Sequence, residues 1–330
     1  MAGMTKHIPA LDGLRAVSAL VVVFFHCHHP LFAGGGRGVD VFFVLSGFLI
    51  TGILLDSDRI NLLDFWSARV RRLVPALLTV VAACFVAAPI FAYGEGVSLQ
   101  EVAYALSYTM NFASAAGHRY NPLSHTWSLA QEMQFYLLWP FFVPVLARTR
   151  HARIFLLSAW ALITIVRVVV ASFHEHLAIY SPVTHASGLV LGAFACFCRP
   201  FPRLLGLAGV GLIAASLTMG TGHAAITYGT ALAEIGAALL IPDLVANASL
   251  PQSFLSTKPL AGLGRISYGI YLWHFPLVML MDPWPRAKIA IVPLASVLLA
   301  GLSYWTIEAR FRNRPPVLNS NSGDTIGTIS

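Results

Sequence analysis

Apolar runs long enough to cross a bilayer recur along nearly the whole chain, separated by short polar stretches. A helical span needs about 20 predominantly apolar residues. Candidates fall at 14–32, 38–55, 73–93, 126–147, 153–173, 183–198, 204–220, 224–246, 265–282 and 289–309. The pattern predicts an all-α fold, a polytopic transmembrane helical bundle of about ten spans. The first run follows Lys6 and Arg15 as a signal peptide would, but "HCHHPLF" is a poor cleavage site and a second span follows at once. It is read as a retained span.

Segment 98–116, "SLQEVAYALSYTMNFASAA", is amphipathic, with Gln100 and Glu101, and its reading decides the topology. If it does not cross, both termini are cytoplasmic, and sixteen of the 21 Lys and Arg residues lie on that side. Those left outside are Arg37, Arg119, Arg286 and Lys288, with Arg167 inside a span. If it crosses, every later loop flips and the split becomes nine inside against eleven outside. The positive-inside rule selects ten spans, with 98–116 re-entrant or interfacial on the outer side.

Composition agrees with this class. The chain of 330 residues is 57% hydrophobic and 11% charged, with a mean hydropathy of +0.72. A soluble domain carries about 25% charged residues, so polar surface is too scarce here for a water-soluble globule. The expected place is an integral, multi-pass position in a bacterial inner membrane. Residues 1–315 form one membrane domain and 316–330 a disordered C-terminal tail. The net charge of +7 is read as a topology signal, not as a nucleic-acid surface. Cys27, Cys84, Cys196 and Cys198 lie in or beside apolar runs and do not form a disulfide framework. No metal site is expected.

Ionisable residues inside spans are costly and usually face a cavity or a partner. Arg15 and His26, eleven residues apart, project to nearly one face of a helix, about 16 Å apart along its axis. Arg15 reads either as a snorkelling anchor or as part of a site. His26 lies past the midplane, and Asp40 enters the second span from its outer end. Ser46, Gly47 and Gly52 offer small surfaces for close packing. Arg69 and Arg72, at i and i+3, share a helix face. Their guanidinium forks suit phosphate, while plain topology anchoring explains them equally well. In "LSHTWSLAQEMQFYLLWP", His125 stands at the mouth and Glu132 about two turns deep, in the same outer half as His26. Ser267, Tyr271 and His274 recur at i, i+4 and i+7 on one face. Arg167 has no evident partner in its own span.

Five motifs in this order resemble the membrane-bound acyltransferase family 3: "LDGLRAVSALVVVFFH", "GVDVFFVLSGFLIT", "FWSARVRRLVPALL", "LSHTWSLAQEMQFYLLWP" and "ISYGIYLWHFPL". The resemblance covers residues 8–315. Met133 replaces the second of two adjacent glutamates usual in the family, and Ala309-Arg310 follows Glu308 where the family reads Ile-Glu-x-Pro. The chain resembles the stand-alone form, without a C-terminal esterase-like domain.

The resemblance implies transfer of an acyl group, acetyl by family habit, from a cytoplasmic acyl-CoA. The acceptor is a hydroxyl of a glycan, a lipid-linked oligosaccharide or a glycosylated small molecule. It also implies that His26, Arg15, Arg69 and Arg72 are essential. The residues themselves allow the same chemistry. Arg15, Arg69 and Arg72 hold the phosphates of a donor that is substrate and not a resident cofactor. His26 acts as general base, with Glu132 or Asp40 orienting it. His125, Ser267, Tyr271 and His274 are substrate or oxyanion candidates. The competing reading is a proton-coupled transporter or flippase using His26, Glu132 and His274 as a relay.

Overall fold

The computed structural model describes residues 7–57, 61–87, 96–198 and 202–312, and no strand occurs among them. The proposed tail, together with Lys6, Arg59, Arg199 and Arg314 of the charge count, lies outside the described residues.

Helix α1 (Pro9–His26) opens with proline in its first turn, where the missing N–H costs nothing. It ends at His26, earlier than the apolar run suggests. Pro30 follows closely and His28 turns the backbone with φ +58°. Helix α2 (Gly38–Leu55) is apolar nearly all round and largely buried. Helix α3 (Leu62–Val86) is capped by Asn61, whose side chain accepts from the Leu63 and Asp64 N–H groups. The cap starts the helix well before the predicted span and places Arg69 and Arg72 inside it.

Segment 98–116 folds as two short helices, α4 (Leu99–Leu106) and α5 (Met110–Ala115). A capping box between Ser98 and Glu101 starts α4, and Tyr108 at φ +55° separates it from α5. Helices of eight and six residues reach about 12 and 9 Å, far short of a ~30 Å hydrocarbon core. The segment does not cross, as the charge count requires. Gln134 donates to the Tyr108 carbonyl at 3.0 Å and to Asn111 at 2.9 Å, tying it to the next span.

The chain continues through α6 (Trp127–Arg148), α7 (Ala152–Ala171), α8 (Glu175–Tyr180), α9 (Pro182–His185), α10 (Ser187–Phe197), α11 (Arg203–Thr218) and α12 (Thr230–Ala246). It closes with α13 (Leu250–Leu255), α14 (Lys258–Arg265), α15 (Ser267–Leu280), α16 (Pro285–Ser303) and α17 (Ala309–Arg312). A π-turn over Tyr304–Glu308 joins α16 to α17, so the chain stays helical past Glu308 where the family has a proline. Each of the ten predicted runs is helical over most of its described residues. Five stretches are long and apolar enough to cross a bilayer alone: Pro9–His26, Gly35–Leu55, Ala152–Ala171, Ala225–Ala246 and Pro285–Phe311. The others are shorter, or carry more polar residues. This is an all-α polytopic membrane bundle.

Small residues set its centre. A Cβ on Gly47 would lie 1.9 Å from the Leu189 carbonyl oxygen, and one on Gly192 2.0 Å from that of Val44. Helices α2 and α10 therefore touch backbone to backbone, as Gly47 suggests in the sequence. Around this pair pack α1, α6, α7 and α12.

Arg167, unassigned from sequence, is fully buried on α7 and meets Glu234 of α12 at 3.2 Å. Glu234 also accepts from Ser187 and from the Trp160 indole at 2.8 Å. Breaking such a pair strands a charge, at a cost of about 3–5 kcal/mol, whereas removing both partners is nearly neutral. Arg167→Leu is expected to lower the melting temperature sharply in detergent, and Arg167→Leu/Glu234→Leu to recover most of the loss. A double variant as unstable as the single one would contradict a structural role.

Candidate active site

Four adjoining cavities succeed one another through the bundle. The first is lined by His7, Asp12, Arg15, Arg72, Arg265 and Tyr304. It gathers the start of α1, the last turn of α14 and the end of α16, so both described termini lie at one end of the molecule. That agrees with an even number of passes. Arg15 and Arg72 also line the second and third cavities. Arg69 joins them in the second, and Glu132, Ser128 and Tyr271 in the third. Val39 and Tyr271 form the wall shared with the fourth. The fourth, about 240 Å³, is lined by His26, His125, Asp40 and His185 among others.

At the arginine end, Arg15, Arg69 and Arg72 take part in no salt bridge among the described residues. Arg69 lies over the Phe65 ring at 4.2 Å and one of its terminal nitrogens donates to the Phe65 carbonyl oxygen at 3.5 Å. Three guanidinium groups on a shared cavity wall, without carboxylate partners, concentrate positive charge there.

Glu132 belongs to this end and not to His26. Its carboxylate accepts a short hydrogen bond from Ser46 of α2, and Tyr136 donates to the same Ser46 oxygen at 3.3 Å. A shared outer half does not bring Glu132 to His26, because Glu132, on α6, lies seven residues beyond His125, about 10 Å farther from the histidine end. Asp40 does not orient His26 either. It accepts from His185 Nε2 at 2.8 Å and stands 3.6 Å from Arg37. Among the described residues no carboxylate hydrogen-bonds to His26.

The partner of His26 is His274. The Nδ1 of His26 faces the Val22 carbonyl oxygen at 3.0 Å and His274 Nε2 at 3.1 Å. The Nδ1 of His274 faces the Tyr271 carbonyl oxygen. Carbonyl oxygens only accept, so the partners assign the protons. His274 carries its proton on Nδ1 and accepts at Nε2. His26 carries its own on Nδ1, and its Nε2 lone pair is free on a cavity-lining ring.

The remaining candidates divide. Tyr271 donates to the His125 carbonyl oxygen at 2.8 Å, and its oxygen pairs with Ser128 at 2.7 Å. Its proton is committed, so it positions His125 and offers nothing to an oxyanion. His274 is likewise committed to His26. Ser267 is buried against the third cavity, at the arginine end. His125 is different. It is 2% exposed, it stacks on Phe275 at 5.1 Å, and neither ring nitrogen has a partner. It lines the fourth cavity beside His26 and retains a free N–H donor.

Three groups in this region escape the sequence reading: His185, Trp127 and Tyr180. His185 closes the four-residue helix α9 and joins Asp40 across 145 positions of sequence. Its one signal is a polar residue at the head of an apolar run.

A family model described as "Acyltransferase domain" matches residues 8–308. The chain is 31% identical over 350 residues to the "Peptidoglycan O-acetyltransferase OatA" of Listeria monocytogenes serovar 1/2a, covering 93% of this chain and 56% of that protein. It is 28% identical over 348 residues to the "O-acetyltransferase OatA" of Staphylococcus aureus (strain NCTC 8325 / PS 47), covering 94% and 58%. It is 31% identical over 356 residues to YrhL of Bacillus subtilis (strain 168), covering 94% and 55%. The chain thus spans a little over half the length of these relatives. No solved structure matches it significantly.

Proposed function

Because the chain belongs to the acyltransferase domain family, we propose that it is an integral-membrane O-acyltransferase acting between a donor at its arginine end and a glycan hydroxyl at its histidine end. The donor is an acyl-CoA, acetyl-CoA by preference, entering from the cytoplasm. The observation that carries this reading is the alignment of three unpaired arginines with a histidine whose Nε2 is free, at opposite ends of adjoining cavities. The relatives named as O-acetyltransferases support a glycan acceptor.

Coenzyme A has a phosphate-rich head and a long thin arm, and the cavities have the same asymmetry. Arg15, Arg69 and Arg72 bind the head by charge-assisted hydrogen bonds. The arm passes Ser46 and Tyr136 and reaches the wall formed by Val39 and Tyr271. The thioester carbon then lies near His26, about 16 Å along α1 from Arg15.

His26 Nε2 takes the proton of the acceptor hydroxyl as its oxygen attacks the thioester carbon. The imidazolium is stabilised through Nδ1–H by His274, whose own Nδ1–H is held by the Tyr271 carbonyl. The His125 N–H faces the developing oxyanion. Collapse of the tetrahedral species breaks the C–S bond. The thiolate recovers the proton from His26, and the ester leaves on the acceptor.

His26→Ala is expected to abolish acyl transfer while leaving membrane insertion and detergent elution unchanged; wild-type turnover in this variant would exclude the mechanism. His274→Ala should lower kcat on the order of 10²-fold with donor KM unchanged, the usual scale for a misplaced general base. Arg69→Lys/Arg72→Lys keeps the charge and loses the forks. Its donor KM should rise about tenfold, as when one charge-assisted bond is lost, and steady-state kinetics showing an unchanged donor KM would remove the clamp. Acyl label trapped on His26 in rapid quench without acceptor would replace direct transfer by an acyl-histidine intermediate.

A further inference from the structure

The acyl-transfer step leaves one pair in the fourth cavity unused. His185 of α9 lines this cavity and is 4% exposed. Its Nε2 lies 2.8 Å from Asp40 Oδ1, while Asp40 Oδ2 is 3.6 Å from Arg37. Arg37 in turn donates to Thr230 at 2.7 Å. A carboxylate only accepts, so the proton of neutral His185 is on Nε2 and its Nδ1 presents a lone pair. That Nδ1 has no partner.

A buried polar atom without a partner costs about 1–3 kcal/mol, and most find one. Here the atom belongs to a cavity-lining ring, with the Trp127 ring edge-on at 5.4 Å and Tyr180 edge-on to Trp127 at 5.2 Å. Aromatic surface beside a fixed hydrogen-bond acceptor is suited to a molecule with apolar faces and hydroxyl edges. The charged residues of the cavity wall are one arginine, already engaged, against Asp40 and Glu175. The wall therefore repels an anion, in contrast to the arginine end.

We propose that His185, held by Asp40, is an acceptor-binding residue whose Nδ1 takes a hydrogen bond from a hydroxyl of an uncharged sugar seated beside Trp127. A neighbouring hydroxyl of that sugar is thereby offered to His26, which lines the same cavity. Only this last clause rests on the acyl-transfer reading, because the binding itself needs no donor.

The test is calorimetric titration of the purified full-length protein in detergent, without donor, using chitotriose as the neutral probe and trigalacturonate as the anionic one. Wild type is expected to bind chitotriose, and to bind it tighter than trigalacturonate. His185→Gln keeps an N–H for Asp40 and loses the acceptor at the Nδ1 position. It should weaken chitotriose binding about tenfold, the effect of one lost hydrogen bond, with acetyl-CoA binding unchanged. His185→Asn, which keeps a side-chain acceptor close to that position, should recover part of the loss. Trp127→Ala provides a second variant should the His185 substitutions fail to fold, and it too should weaken chitotriose alone. A wild-type protein that binds chitotriose but transfers no acyl group to it would overturn the acyl-transfer reading and leave this result standing. Absence of chitotriose binding in wild type, tighter binding of trigalacturonate, or wild-type affinity in His185→Gln and Trp127→Ala would each overturn the proposal.

Discussion

A charge placed in a bilayer must find its counterpart inside the protein, and that requirement organises this bundle. Each central Arg or Asp costs about 2.5–3.5 kcal/mol on insertion. Here the cost is met by two different arrangements. Arg167, Glu234, Ser187 and Trp160 close on one another away from the four cavities and stitch α7, α10 and α12 together. Arg15, Arg69 and Arg72 have no carboxylate partner and instead line cavities. The same physics has two outcomes here: a charge paired across helices ties them together, and charges without a carboxylate partner line open space.

Backbone contact between α2 and α10 gives these groups their places. Gly47 and Gly192 bring the two helices together. Asp40, in the first turn of α2, and Ser46, near its midpoint, then serve different cavities. Asp40 meets His185 just before α10 begins, and Ser46 meets Glu132 of α6. One helix thereby supplies a polar anchor to each end, and the wall between the ends is thin, made by Val39 and Tyr271. The two ends differ in charge, three arginines lining one and Asp40 and Glu175 facing Arg37 at the other.

Much of this was legible in the chain. Helical period placed Arg15 and His26 on one face, and charge counting kept segment 98–116 from crossing. The small residues of α2 announced a close neighbour. What failed was the pairing of carboxylates. Depth alone suggested Glu132 or Asp40 for His26, yet depth along a span says nothing about which neighbouring helix a side chain faces. Arg167 remained unassigned for the same reason, since its partner lies 67 positions away on α12.

The sequence by itself determined the class of protein, the order of its apolar segments, and which polar residues demanded an explanation. These follow from transfer energies and local periodicity, which each segment carries alone. The tertiary structure decided the partnerships: His274 for His26, His185 for Asp40, Ser46 for Glu132. Those depend on how helices rotate and approach, and in lipid that is set by shape and hydrogen bonding between distant segments, information that no single helix contains.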